Sequence, residues 1–331
     1  MCCRAAISQQ GFSRAAEHLK DLAQLSISKE RMRTIVESEG RLVSVAQKKS
    51  LLPAGFEIED CKTSPKGLKR VYVGVDGVKV PMVTQKEKDK RRKNRGRKRP
   101  GSKRRQMRRG ADNSYKEFKI ATIYSQSNEH RHVVATGGNH EVLGGLVRRQ
   151  AKQLKLDRAD EKIAVADGAE WIRKQLEGKL PMLDCQILDF YHLSEHIWSA
   201  SNTCFTQGSE QAKAFASELL HLAKHEGPTA LLERLICERK KYRKPGKRRA
   251  LKDLIKYIGR RFAMCDYPRF VELGWHIGSG PTEAMCKVLT YRLKGSGMRW
   301  DRAGAEAIMA LITLQESNTW KRYWDMQKHA A

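Results

Sequence analysis

Apolar positions along the chain switch between two periods, and the switches mark its elements. Phe12, Ala15, Ala16 and Leu19, with Leu22 and Ala23, recur at helical spacing. After a break at Leu25-Ser26-Ile27-Ser28 the spacing resumes in Met32, Ile35 and Val36. Two short helices around a tight turn suit a helix-turn-helix DNA reader or, equally, any αα-hairpin. A further helix runs to about Leu52 and gives way to a polar, proline-containing linker that ends at Arg70. The pattern then turns β-like. Residues 71–80 (VYVGVDGVKV) predict a strand, and 115–125 and 130–136 predict two antiparallel neighbours. A basic amphipathic helix follows over 142–156. Short apolar strands then lead to Asp167 and Asp189, each running directly into a helix. From 193 to 272 the pattern is helical throughout, broken at Gly208, Gly227-Pro228 and Pro245-Gly246. Strands followed by an all-helical stretch and then more helices predict an α/β fold: a mixed sheet flanked by helices, an all-α insertion and a small N-terminal helical segment.

Acids sit at the junctions of this pattern. Asp76, Asp167 and Asp189 are each expected to end a strand, and α/β folds place their sites at such a rim. Gly74 lies two residues before Asp76 on the same strand face and leaves room beside its carboxylate. The plainer alternative for Asp76-Gly77 is a hairpin turn. Farther on, 277–300 (IGSGPTEAMCKVLTYRLKGSGMRW) reads as a glycine turn, a helix and a second glycine hinge before Trp300. At about 100° per residue, Glu283, Lys287, Thr290 and Lys294 share one stripe, and Met285, Val288, Leu289 and Leu293 form the opposite, core-facing side. Taken alone, Glu283 and Lys287 are also an ordinary i,i+4 surface pair.

Charge narrows the choice of partner. Lys and Arg total 65 against 37 Asp and Glu, a net charge of +28, and the pI is near 9.9. A polyanion is the expected partner, nucleic acid before anionic membrane. Residues 86–109 carry 15 Lys or Arg with one apolar residue, Met107, and predict a disordered insertion loop that grips phosphates without regard to sequence. Arg91, Arg92, Lys98, Arg99, Arg104 and Arg105 represent it. A second basic cluster, 239–249 (RKKYRKPGKRR), offers Tyr242 for stacking. No apolar run is long enough to span a bilayer, and the N-terminus lacks the apolar core of a signal peptide. The eight cysteines are scattered without a CxxC pair and read as buried, reduced residues. A cytoplasmic, nucleoid-associated protein is the expectation.

Carboxylates at a sheet edge suit Mg²⁺ or Mn²⁺ rather than zinc, and a pair of such ions serves phosphodiester cleavage or strand transfer. One motif competes. His192, Glu195 and His196 fit H-x-x-E-H, an inverted zinc-peptidase signature, but no third ligand is identifiable. Otherwise His192, beside Asp189, works next to the metal site or holds a strand end in place.

The pieces GVDG (74–77), AVADGAEWI (164–172), ILDFYH (187–192), GSGPTEA (278–284) and YRLKGSGMRW (291–300) occur in an order and spacing that resemble a DDE insertion-sequence transposase of the ISKra type, similar to the Mutator-like group. The resemblance runs from about residue 71 to 316. It implies an RNase H-like core in two parts, 71–192 and 276–318, split by a helical insertion at 193–275. Before the core lie a DNA-binding helical segment, 1–45, and a linker, 46–70; a tail occupies 319–331. It further implies that Asp76, Asp167 and Glu283 bind two Mg²⁺ or Mn²⁺ ions, with Asp189 and His192 as the accessory D-x-x-H element. Family members begin with a longer N-terminal part carrying paired cysteines, so a truncated copy is expected. The expected function is DNA transposition by metal-dependent cleavage and strand transfer, on double-stranded DNA at element ends and target, by a homodimer or higher oligomer, with no membrane and no small-molecule substrate. Lys287, Lys294 and the 86–109 loop would hold phosphates, while residues 12–39 and Trp300 contact element ends. The rivals are a non-catalytic DNA-binding remnant, an RNase H-like nuclease or resolvase, and the zinc peptidase.

Overall fold

The computed structural model describes residues 1–93, 113–295, 298 and 300–330. Among these, five strands form one mixed sheet in the order β3-β2-β1-β4-β5: β1 (Arg70–Met82), β2 (Asn113–Ser125), β3 (Arg131–Thr136), β4 (Glu161–Ala166) and β5 (Cys185–Leu188). β2 and β3 are antiparallel, with Lys119 opposite Thr136 and Tyr124 opposite Arg131. β4 and β5 are parallel, from Ile163–Cys185 to Ala166–Leu188. A mixed sheet flanked by helices, as the sequence pattern predicts, is the observed class. The chain divides into two compact units: Met1–Val71, Val75–Asp160 and Pro281–Ala331 form the first, Tyr72–Gly74 and Glu161–Gly280 the second.

In the first unit, α1 (Cys2–Ser8), α2 (Phe12–Ala23) and α3 (Lys29–Lys48) precede the sheet, and α4 (Gln85–Lys93) and α5 (His140–Gln153) sit between its strands. The helix expected to run to Leu52 is the end of α3, a single 20-residue helix capped by Ser28, whose Oγ accepts Arg31 N–H at 3.2 Å. Its stripe of Met32, Val36, Gly40 and Val43 is buried, the apolar side chains in the same core as residues of the helices Gly280–Lys294 and Arg302–Glu316. Apolar side chains of the first 45 residues thus pack into the core of the first unit. The linker is also anchored: Leu52, Phe56, Ile58 and Cys61 are buried, and Ile58 N–H bonds Leu154 O at 3.1 Å. Residues 85–93, expected to be structureless from Lys86 on, are helical. Thr84 Oγ1 accepts Glu87 N–H at 3.2 Å, Gln85 donates to Asp89 at 2.9 Å, and Lys88 pairs with Asp301.

The second unit carries α6 (Glu170–Lys179), α7 (Phe190–Cys204), α8 (Glu210–His221), α9 (Pro228–Lys241), α10 (Pro245–Gly259) and α11 (Tyr267–Glu272). Prolines at the starts of α9 and α10 lose no hydrogen bond there, and Gly227 adopts φ +90° before the first of them. Leu219, Leu231, Leu235, Leu251 and Ile258 are fully buried within the helical layer.

The chain closes in the first unit with α12 (Gly280–Lys294), α13 (Arg302–Glu316) and α14 (Trp320–Ala330). α13 is buried almost all round, from Gly304 to Leu314, as befits a central core helix. A Cβ on Gly40 would overlap the Ala307 carbonyl, so α3 meets α13 at a position only glycine fits. Among the described residues no helix is long and apolar enough to cross a membrane. All eight cysteines are free; five are buried as expected, but Cys237 is exposed.

Candidate active site

Asp76 does not end its strand. β1 continues to Met82, and Gly77 neither turns nor breaks it, so the hairpin alternative also fails. A Cβ on Gly77 would meet Glu117 Oε1 at 2.7 Å; glycine leaves room for that side chain, which pairs with Lys119 at 2.6 Å. Asp76 Oδ1 accepts Gly77 N–H at 2.6 Å, and Oδ2 accepts the Cys286 thiol at 3.3 Å. Cys286 lies one turn along α12 from Glu283. Burial, then the Asp76 carboxylate, then Glu283 push its thiol pKa well up, so it stays a neutral donor. The first turn of α12 is fixed to β2 by a buried hydroxyl pair, Thr122 Oγ1 to Thr282 Oγ1 at 2.6 Å. The first unit therefore places Asp76 against the helix of Glu283, through the Cys286 thiol, across more than 200 residues of sequence.

The face of α12 is rotated from the one expected. Glu283, Lys287 and Lys294 are exposed, but Thr290 is buried, its hydroxyl satisfied by Cys286 O at 2.6 Å. Val288, expected in the core, is exposed, and Arg292 takes a core position. Arg292 donates to Ala6 O at 2.7 Å and lies 5.0 Å from both the Phe12 and Trp300 ring centroids. Burial lowers its pKa to about 10, which leaves it charged at neutral pH. Trp300, expected to contact DNA, is a core residue instead: it is 5% exposed, packs edge-on to Phe12 and donates to Leu293 O at 3.1 Å. Lys294 and Arg92 are surface cations. Lys98, Arg99, Arg104 and Arg105, and the side chain of Arg91, lie outside the described residues.

In the second unit, Asp167 follows β4 and turns the chain into α6. Its Oδ1 accepts Ala169 N–H at 2.8 Å. Gly168 sits at φ +71°, the left-handed region that glycine enters without strain. The helical layer holds this turn by its carbonyls. Tyr257 OH donates to Asp167 O at 3.2 Å and Arg261 Nε to Gly168 O at 2.8 Å, with the guanidinium 4.0 Å from the Tyr257 ring centroid. Nothing in the periodicity of this stretch singles out these two residues; both read as parts of an ordinary amphipathic helix.

Asp189 is buried and caps α7. Its Oδ1 accepts Tyr191 N–H at 2.7 Å and His192 N–H at 3.1 Å. Its Oδ2 accepts Ser279 N–H at 2.7 Å and the Ser279 hydroxyl, tying down the residue before α12. His192 Nδ1 lies 3.5 Å from Glu195 Oε2, and the His196 ring stacks on Tyr257 at 4.0 Å. Burial, His192 and Arg261 lower the His196 pKa and favour the neutral ring. Tyr242 of the basic cluster has Lys247 Nζ 4.9 Å from its ring centroid, so one partner for that ring is already internal.

Among the described residues no three His, Cys, Asp or Glu side chains converge as a ready cage for a metal ion, so H-x-x-E-H acquires no third ligand. The donors of the first unit suit a hard divalent cation. Asp76 and Glu283 present oxygens, the Asp76 carboxylate keeps lone pairs beyond its two hydrogen bonds among the described residues, and the Cys286 thiol beside it is protonated.

No protein-family model matches the chain, and no curated protein matches it. Among solved structures, the chain is similar to the Drosophila P element transposase strand transfer complex at 10% sequence identity and a TM-score of 0.42, covering 95% of this chain and 90% of that one.

Proposed function

We propose that this protein is a DNA transposase that cleaves and transfers strands by metal-dependent phosphoryl transfer, acting as a homodimer or higher oligomer on element ends and target DNA. The observation that carries this is the hydrogen bond from Cys286 to Asp76, which places Asp76 against the helix that bears Glu283 one turn earlier. The order of motifs in the sequence supplies Asp167 as the third acid of the proposed triad. Bound Mg²⁺ or Mn²⁺, two ions, would supply an activated nucleophile and a stabilised leaving oxygen. Asp76, Asp167 and Glu283 would hold them. Tyr257 and Arg261 would fix Asp167 by gripping its backbone turn, and Asp189 would act as a positioning residue for His192 and Ser279. Lys287, Lys294 and the 86–109 segment would hold the phosphate backbone.

The test is nicking of a duplex bearing the flanking terminal repeats, in Mn²⁺. Asp167→Asn is expected to bind that duplex almost as the wild type does and to lose nicking. Nicking that survives the substitution removes the assignment. Stoichiometric zinc in purified protein would revive the peptidase instead.

A further inference from the structure

A cavity of about 330 Å³ in the second unit is lined by Gly168, Glu170, Arg173, Arg260 and Arg261. Three guanidiniums face one carboxylate there, beside the residue that follows Asp167. We propose that this cavity is a phosphate site, and that it seats a backbone phosphate of a nucleic-acid strand next to Asp167. This deepens the proposed function and rests on it, because it takes the strand to be the substrate.

The donors are arranged for an oxyanion. Arg261 is immobilised, its Nε on Gly168 O and its Nη1 on Tyr257 O at 3.0 Å, with the guanidinium on the Tyr257 ring; its Nη2 makes no hydrogen bond among the described residues. A guanidinium fixed in this way loses little entropy when it binds a phosphate oxygen. Arg260 follows α10, is exposed, and has no side-chain hydrogen bond or ion pair among the described residues. Arg173 pairs with Glu177 at 2.8 Å on the surface, an exchange partner that a phosphate readily replaces. The opposing carboxylate is already compensated: Glu170 pairs with Lys174 at 2.8 Å, and Lys174, Arg173 and Arg260 all lower its pKa. Ala169 gives the N-terminus of α6 no side-chain cap, so the positive end of the helix dipole adds to the three arginines.

Size points the same way. Ligand pockets run from roughly 300 to 1,000 Å³, so this one takes a phosphate with its adjoining sugar rather than a large cofactor. Gly168 is required at the rim: a Cβ there would stand 2.6 Å from Arg261 Nε and displace the fixed donor.

The test uses the full chain with Arg173→Gln/Arg260→Gln, which leaves the Arg261 clamp intact, and with Glu170→Gln. Oligonucleotide affinity is measured against salt concentration. One neutralised phosphate contributes about 1 to the salt slope, so the double variant should lower it by about 1, uniformly across sequences. Inorganic phosphate is titrated in parallel and followed by ³¹P line broadening: saturable with wild type, abolished in the double variant, stronger with Glu170→Gln. A reduced slope supports the strand site. An unchanged slope with nicking intact overturns it while leaving the transposase function standing. Abolished broadening with an unchanged slope shows a free-phosphate site and also overturns it. If the double variant does not fold, Glu170→Gln decides, since unaltered phosphate and oligonucleotide binding in that variant refutes the proposal.

Discussion

Asp189 separates a metal ligand from a scaffold residue by experiment. It is 2% exposed and accepts four hydrogen bonds, two as the cap of α7 and two from Ser279. Asp189→Ala removes the cap, at about 1 kcal/mol. It also leaves the Ser279 N–H and hydroxyl without acceptors, adding roughly 1–3 kcal/mol, for a total near 3 kcal/mol. Asp189→Asn keeps the cap, because the amide oxygen can take the place of Oδ1. Its NH₂ then faces the Ser279 N–H, and the missing charge-assisted bond costs about 2 kcal/mol. Urea unfolding monitored by helical circular dichroism should rank the variants wild type, Asn, Ala. Catalysis distinguishes the roles. A positioning residue shifted slightly costs at most about 100-fold in nicking rate, and the Mn²⁺ concentration for half-maximal nicking stays put. If Asp189→Asn is folded yet loses nicking as completely as Asp167→Asn, or needs far more Mn²⁺, Asp189 belongs to the metal shell and the scaffold assignment is refuted.

Three further outcomes follow from the packing. Gly168→Ala forces a side chain into φ +71° and against Arg261 and Leu188, so it should cost roughly 3 kcal/mol in urea unfolding; a loss below about 0.5 kcal/mol would mean the turn relaxes freely. His132 is buried, and burial lowers its pKa to about 4. Between pH 6.5 and 4 the unfolded chain therefore binds the proton and the folded one does not, so stability drops by about 3 kcal/mol as the pH is lowered across that window; His132→Gln should flatten that part of the pH–stability curve. Arg292→Ala opens the space between Phe12 and Trp300 and strips Ala6 O of its donor, costing about 3–5 kcal/mol, whereas Arg292→Met also leaves Ala6 O without a donor but fills the volume without a buried charge, and should cost about 1–2 kcal/mol in thermal unfolding.

Local pattern alone located the strands around Asp76, Asp167 and Asp189 and the helix of Glu283, because alternation and 3.6-residue periodicity are properties of neighbouring residues. Proline and glycine marked the breaks in the helical layer for the same reason: their backbone limits act within one or two residues. Burial on a given helix face was not local. Thr290 and Arg292 are inside and Val288 outside because of what covers α12, including the Ala6 carbonyl and the Phe12 ring from nearly 300 residues earlier. Arg292 did carry one readable sign, its place seven residues after Met285 and three after Leu289 on the apolar stripe. Trp300, expected to contact element ends on the family resemblance, is core because it packs on Phe12. The Cys286–Asp76 hydrogen bond, the Tyr257–Arg261 clamp and the arginine cavity have no short-range signature, since each joins groups distant in sequence. The sequence by itself thus determined where most strands and helices run, but not that β1 continues past Asp76 or that 85–93 is helical. Tertiary structure decided that Asp76 lies against the helix of Glu283, which charges are buried and which arginines face open space, because only packing brings groups together that the chain keeps far apart.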